Sequence, residues 1–336
     1  MIARGFAFAA LLGVGLVAQK GAQEGAQAEL VLGSGEHAYD WVDGWPKPDA
    51  EGAPLELGYT HGCVVVDGDD NVYVETNAEQ AVFVFDADGA LLRTFEGRGL
   101  EDGLHGLCLV REGDDEFLYA THLKGRVLKL DLTGEIVWEV GYPEESGLYP
   151  GGERFHPTGV AVASNGDVFV ADGYGRHYVH RFDRDGKYLA SFGGTGTALG
   201  EFKNPHGIRI ETLFGRELLL VADRENRRLQ LLTLEGKPVR AMTDGIRRPC
   251  GTASKDGVWA VADIEGRVTL LDEKGAVLAH LGEQPDPEKA DTKDVPPAEQ
   301  ERGRFHSPHA VAFDSRGALY VVDWLVAGRV TKLRPR

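Results

Sequence analysis

The sequence predicts an all-β fold, a six-bladed β-propeller whose last blade is closed by an N-terminal strand. Three observations predict it. A unit of four short strands recurs six times along the 336 residues. Its copies open at positions 61, 105, 158, 206, 250 and 309, in steps of 44, 53, 48, 44 and 59, the spacing of a four-stranded propeller blade. The sixth copy stops one strand short, and a matching stretch precedes the first.

Residues 203–234, KNPHGIRIETLFGRELLLVADRENRRLQLLTL, show the unit most clearly. A strand opens at His206, turns at Gly215 and returns as LLLVAD, a run too short for a helix. RLQLLTL then makes a third strand, and EGK turns into a fourth.

The other copies align on this one. Their first strands are THGCVVVD (60–67), LHGLCLV (104–110), PTGVAVA (157–163), PHGIRIE (205–211), PCGTAS (249–254) and PHAVAFD (308–314). Second strands read VYVET, LYATH, VFVAD, LLVAD, WAVAD and LYVVD. Third strands read AVFVFD, RVLKLD, HRFD, RLQLL, RVTLLD and RVTKL. The last copy reaches Arg336 without an outer strand. HAYDWVDGW (37–45) resembles outer strands such as YLASFGG, so it is expected to complete that blade and remove an open edge.

Composition narrows the function. The 42% hydrophobic content suffices for a core, and the net charge of −17 argues against nucleic acid as a partner. The N-terminus has Arg4, then the apolar run GFAFAALLGVGLVA, then small residues including Ala26 and Ala28. This pattern predicts a signal peptide over 1–28, cleaved within 19–29, with a single propeller domain over 29–336. The mature protein is then expected outside the cell or in a periplasm, with no membrane segment of its own. Cys63, Cys108 and Cys250 are an odd set, so at least one thiol is free; the first two sit at different strand offsets, so they are expected to face different ways and no essential disulfide is expected. The Pro- and charge-rich insertion 282–305 reads as an exposed loop or flap on the rim. Oligomeric state is left open.

Propeller geometry then places a site. First-strand starts and second-strand ends share one mouth of the central channel. His61, His105, Thr158, His206, Cys250 and His309 should ring that mouth. Thr76, His122, Asp172, Asp223, Asp263 and Asp323 should sit beside them, followed directly by Tyr174, Arg224 and Trp324. The Asp residues are expected to bond loop amides. His105, His206 and His309 come from alternate blades and converge with near three-fold symmetry. Three neutral imidazoles with an open position suit a catalytic divalent metal, zinc best of all, one per chain. His61, His122, Cys250 and Thr76 are further candidates at the mouth.

The repeat with its VAD ends resembles the NHL repeat. LHGL, PTGVAVASNGDVFVADGYGRHYVHRFDRDGKYLASFG, PHGI with VADRENRRLQ, and PHAVAFDSRGALYVVD resemble, more narrowly, the peptidyl-α-hydroxyglycine α-amidating lyases (peptidylamidoglycolate lyases). The resemblance covers roughly 100–336. It implies a six-bladed zinc enzyme that splits a C-terminal α-hydroxyglycine into a peptide amide and glyoxylate. It also implies zinc on His105, His206 and His309, a catalytic Tyr174 and an active-site Arg224.

Three departures stand against it. Thr76 occupies the place of a second active-site arginine. Ala310 replaces an aspartate that helps bind calcium, so the resemblance gives little ground for calcium here. The family's paired cysteines are absent, Gly175, Leu220 and Leu231 standing at those places. The expected substrate is a small molecule or a peptide C-terminus. The alternative is a non-catalytic binding module for a peptide or protein partner; a calcium-dependent lactonase is disfavoured by the histidine ring.

Overall fold

The computed structural model describes residues 28–336 except Glu153. The expected leader, 1–28, lies outside the described residues save Ala28. Among the described residues no helix is long and apolar enough to cross a membrane.

Six antiparallel sheets surround a channel. Blade 1 comprises Val64–Val66, Val72–Glu75, Gln80–Phe85 and Leu91–Glu96. Blade 2 comprises Leu104–Glu112, Asp115–His122, Arg126–Asp131 and Ile136–Val140. Blade 3 comprises Gly159–Val162, Val168–Ala171, Tyr178–Phe182 and Tyr188–Gly193. Blade 4 comprises Pro205–Leu213, Arg216–Asp223, Arg228–Leu232 and Pro238–Met242. Blade 5 comprises Pro249–Lys255, Val258–Asp263, Arg267–Asp272 and Val277–Leu281. Blade 6 begins with Pro308–Phe313, Leu319–Asp323 and Arg329–Pro335.

The missing strand of blade 6 comes from the N-terminal side, as expected. Tyr39–Val42 pairs antiparallel with the last strand, Tyr39 opposite Pro335 and Trp41 opposite Leu333. Val31–Leu32 adds a short fifth strand outside it. Trp45 locks this closure. It is 7% exposed, its ring centroid 4.9 Å from Tyr320 and 5.5 Å from Phe85, so it wedges between blades 6 and 1. Truncating so large a buried ring costs roughly 3–5 kcal/mol.

Apolar faces of neighbouring blades make the core. Val72, Val74, Phe83 and Phe85 meet Tyr320 and Val322 at one seam. Ala260, Val268 and Leu270 meet Val311, Val321 and Leu333 at another. The inner strands of adjacent blades adjoin around the channel. At the mouth they approach so closely that only glycine fits. A Cβ on Gly159 would lie 2.5 Å from the His206 carbonyl oxygen, and one on Gly207 would lie 2.4 Å from that of Cys250. The glycine that follows the polar start of copies two to five is therefore a seam residue, whereas a Cβ on Gly62 in the first copy would meet the Glu75 carboxylate of its own blade.

The cysteines are all free. Cys63 and Cys108, expected to face different ways, both line the channel below the mouth. The inner strands converge there, so different strand offsets still reach the common cavity.

Candidate functional site

Local backbone irregularity aims the site residues. The ladder between first and second strands shifts register between Leu104 and Gly106, Pro205 and Ile208, Pro249 and Thr252, and Pro308 and Ala310. His105, His206, Cys250 and His309 each fall at such a shift. A bulge of this kind bends the strand and re-aims a side chain, here into the channel mouth.

The imidazoles meet there. Ring centroids are 4.8 Å apart for His105 and His206, 5.1 Å for His105 and His309, and 4.7 Å for His206 and His309. All three are buried. His61 joins them, 4.9 Å from His105 and 5.2 Å from His309. His105 Nδ1 donates to the Thr158 carbonyl at 2.7 Å, and His309 Nδ1 to the Gly62 carbonyl at 3.0 Å. A carbonyl oxygen only accepts, so each of these rings carries its proton on Nδ1 and offers the Nε2 lone pair.

Tyr174 caps the cluster. Its hydroxyl lies 3.1 Å from His206 Nε2, 3.3 Å from His105 Nε2 and 3.5 Å from Arg224 Nη1. Arg224 also stands over the Tyr174 ring, 5.5 Å from its centroid, and reaches Cys250 Sγ at 3.9 Å. A cavity of about 290 Å³ opens from this cluster, lined by His61, Tyr174, Arg224, Arg248, Asp291 and Trp324 among others.

Burial sets the charges. It holds His105, His206 and His309 well below the usual imidazole range, and it lowers His61 to about 4. All four are therefore neutral at physiological pH and free to donate lone pairs. Burial raises Tyr174 to about 12 and Cys250 to about 11, while the nearby Arg224 works the other way on both.

The donor set fits a divalent metal. His309 Nε2 is buried without a partner, a costly arrangement that an ion relieves. One ligand atom each from His61, His105 and His309 lies within 4.8 Å of the others, and the same is true of His206, Cys250 and His309. Backbone carbonyls behind His105 and His309 are the outer supports common to metal-bound imidazoles.

The structure therefore brings together His61, His105, His206, His309, Cys250, Tyr174 and Arg224. Two expected mouth residues are not part of the cluster. Thr76 is buried in its own hairpin, its hydroxyl donating to the Gln80 carbonyl at 2.7 Å. His122 is buried in blade 2, where its Nδ1 accepts from the Lys124 amide at 3.1 Å. Thr76 lies just past its strand and His122 ends its own, both where the chain turns away, so local turn bonding takes them. The second-strand Asp residues hold loop amides: Asp323 Oδ1 accepts from His306 and Ser307, and Asp263 Oδ1 from Arg247 and Arg248.

Sequence reasoning missed Arg248 and Asp291. Arg248 Nη2 donates to Glu225 Oε1 at 2.7 Å, and Arg224 Nε reaches the same oxygen at 3.2 Å. Arg248 Nη1 pairs with Asp291, which comes from the 282–305 insertion. That insertion is stitched down, Asp291 N bonding the carbonyls of Ile264 and His306, and Val326 N that of Lys293. Arg248 precedes the repeat start by two residues, a place where no other copy carries a signal.

Comparison with known proteins decides the kind of repeat. Residues 156–182 match the NHL repeat. The chain is also similar to amidating lyases. It is 36% identical over 111 residues to a probable peptidyl-α-hydroxyglycine α-amidating lyase of Caenorhabditis elegans, covering 31% of this chain and 30% of that protein. It is 30% identical over 185 residues to such a lyase (number 2) of Drosophila melanogaster, covering 50% and 39%. With peptidyl-glycine α-amidating monooxygenase of Mus musculus it shares 27% over 190 residues, covering 52% and 18%. The matches thus span 39% or less of these relatives' own lengths. Among solved structures, a gluconolactonase from Xanthomonas campestris superposes with TM-score 0.63 at 13% identity, covering 93% of this chain and 96% of that one. A streptogramin B lyase gives TM-score 0.59 at 15% identity, covering 84% and 96%. At such identities these likenesses concern the fold alone.

Proposed function

We propose that the chain is an exported, metal-dependent lyase of the peptidylamidoglycolate type. It would convert a peptide ending in α-hydroxyglycine into the peptide amide and glyoxylate. The observation that carries this reading is the Tyr174 hydroxyl, seated within 3.5 Å of two imidazole nitrogens and one guanidinium nitrogen. His105, His206 and His309 would hold the metal, with zinc favoured by their chemistry. A divalent ion bound there supplies positive charge that polarises the substrate hydroxyl and draws the Tyr174 phenol toward ionisation.

The remaining work falls to the protein's own groups. Tyr174 takes the hydroxyl proton of the α-hydroxyglycine, the carbon–nitrogen bond breaks as the aldehyde forms, and the Tyr174 phenol passes that proton to the departing amide nitrogen. Arg224 binds the terminal carboxylate. Arg248 supplies a second guanidinium on the same cavity wall, from blade 5, where Thr76 of blade 1 cannot. Glu225 braces both arginines and spaces them. The test is to offer such a peptide to the zinc-loaded protein and measure glyoxylate; no release in the presence of bound zinc would hand the mouth to the binding-module reading.

A further inference from the structure

We propose that His61 is a fourth imidazole donor to the metal at the channel mouth, held for that role by Asn77. The inference rests on the metal reading above and extends it to a residue outside the three alternate-blade histidines.

The geometry treats His61 as it treats His105 and His309. Its Nδ1 faces Asn77 Oδ1 at 3.1 Å. The Asn77 amide is itself oriented, because its Nδ2 donates to the Leu104 carbonyl at 3.2 Å, which turns Oδ1 toward the ring. An amide oxygen only accepts. His61 therefore carries its proton on Nδ1, as His105 and His309 do, and keeps a lone pair on Nε2. Three rings thus share one tautomer, each fixed by a bond to an oxygen behind it, and their ligand atoms lie within 4.8 Å of one another.

His61 is also held rigidly. The Tyr59 ring lies parallel to it at 3° and 5.3 Å, and Trp324 stands 5.5 Å away. Asn77 N donates to the Tyr59 carbonyl at 2.8 Å, so the stacking residue and the orienting residue are tied together. Nothing in blade symmetry requires this. Thr158, at the corresponding place in blade 3, turns its hydroxyl to the Pro205 carbonyl at 2.8 Å. The lone pairs converge in a buried cluster where His309 Nε2 has no hydrogen-bond partner.

A fourth imidazole closes the coordination of a tetrahedral ion. His61 is the least buried of the four and borders the cavity. It is thus the donor placed to yield its position to an incoming hydroxy-acid oxygen.

The test measures zinc affinity by chelator competition, without substrate, for the wild type and for His61→Ala, Asn77→Ala and His206→Ala. His61→Ala should bind zinc at least tenfold more weakly, and millimolar free imidazole should restore most of the loss. Asn77→Ala, which removes the orienting bond together with the Nδ2 bond to the Leu104 carbonyl and leaves the His61 ring in place, should lose about 10-fold to 100-fold, the range for such outer partners. Its ring neighbours are untouched, so it keeps the inference testable should His61→Ala disturb the loop. Tight wild-type binding, lost in His206→Ala but unchanged in His61→Ala and Asn77→Ala, would overturn the four-imidazole inference and leave the three-histidine reading standing. A wild type that holds no zinc would overturn both.

Discussion

His105 Nδ1 lies 2.7 Å from the main-chain carbonyl of Thr158, across the seam between blades 2 and 3. One blade thus fixes the tautomer of the preceding blade's imidazole, and seam spacing becomes part of the site. Gly159 sets the following seam. Gly159→Ala would drive a methyl against the His206 carbonyl, 2.5 Å from where its carbon must sit. The expected outcome is a loss of about 1–3 kcal/mol in stability, with zinc bound more than tenfold more weakly. Chemical denaturation and chelator competition on the same samples check both effects.

Tyr174→Phe removes the proton acceptor and keeps the ring. Turnover should fall by about 10²-fold to 10⁴-fold, the range of a positioned acid–base group, with zinc content unchanged. Metal analysis beside steady-state kinetics separates this from a damaged metal site.

Arg248→Gln tests the second guanidinium. Loss of a charge-assisted hydrogen bond is worth about 1.5–3 kcal/mol, so KM for a substrate with a free carboxylate should rise about 10-fold to 100-fold. The methyl ester of the same substrate should respond little. An equal response of acid and ester would mean that Arg248 only braces Glu225.

Glu75 gives a pH prediction. Its side chain is fully buried under Gly62, with Oε2 accepting from Cys63 N at 3.1 Å and Oε1 without a partner. Burial pushes its folded pKa well above the ordinary 4.5. The folded state then holds a proton that the unfolded state releases. Its contribution to stability is full below pH 4.5. It falls by about 1.4 kcal/mol per pH unit until the folded pKa is passed. Glu75→Gln mimics the protonated form and should flatten this part of the curve. Thermal unfolding from pH 4 to 9 (about five units of range) compares the two proteins.

How much was legible in the sequence follows from what repeats. The blades were readable because alternating apolar strands and turn residues recur, and the Tyr39–Val42 closure because one copy lacked a strand. His105, His206 and His309 were readable because the repeat carries them to equivalent places. His122 and Thr76 misled because a strand end names a height in the propeller and not a direction; local hairpin bonds turned both away. Arg248 and Asp291 were invisible because they lie in non-repeating connections, and their meeting depends on how the 282–305 insertion folds back over blade 5. The shared outlook of Cys63 and Cys108 onto the channel was hidden for a related reason, the inward convergence of strands that the sequence treats as separate.

The most direct measurement is the product balance on a peptide ending in α-hydroxyglycine. Zinc-loaded protein should form peptide amide and glyoxylate in equal amounts, at a rate near the ~10 s⁻¹ of ordinary enzymes. The chelated protein and His206→Ala should form neither above background. Bound zinc with no amide and no glyoxylate, or equal rates from wild type and His206→Ala, would contradict a lyase built on this histidine ring.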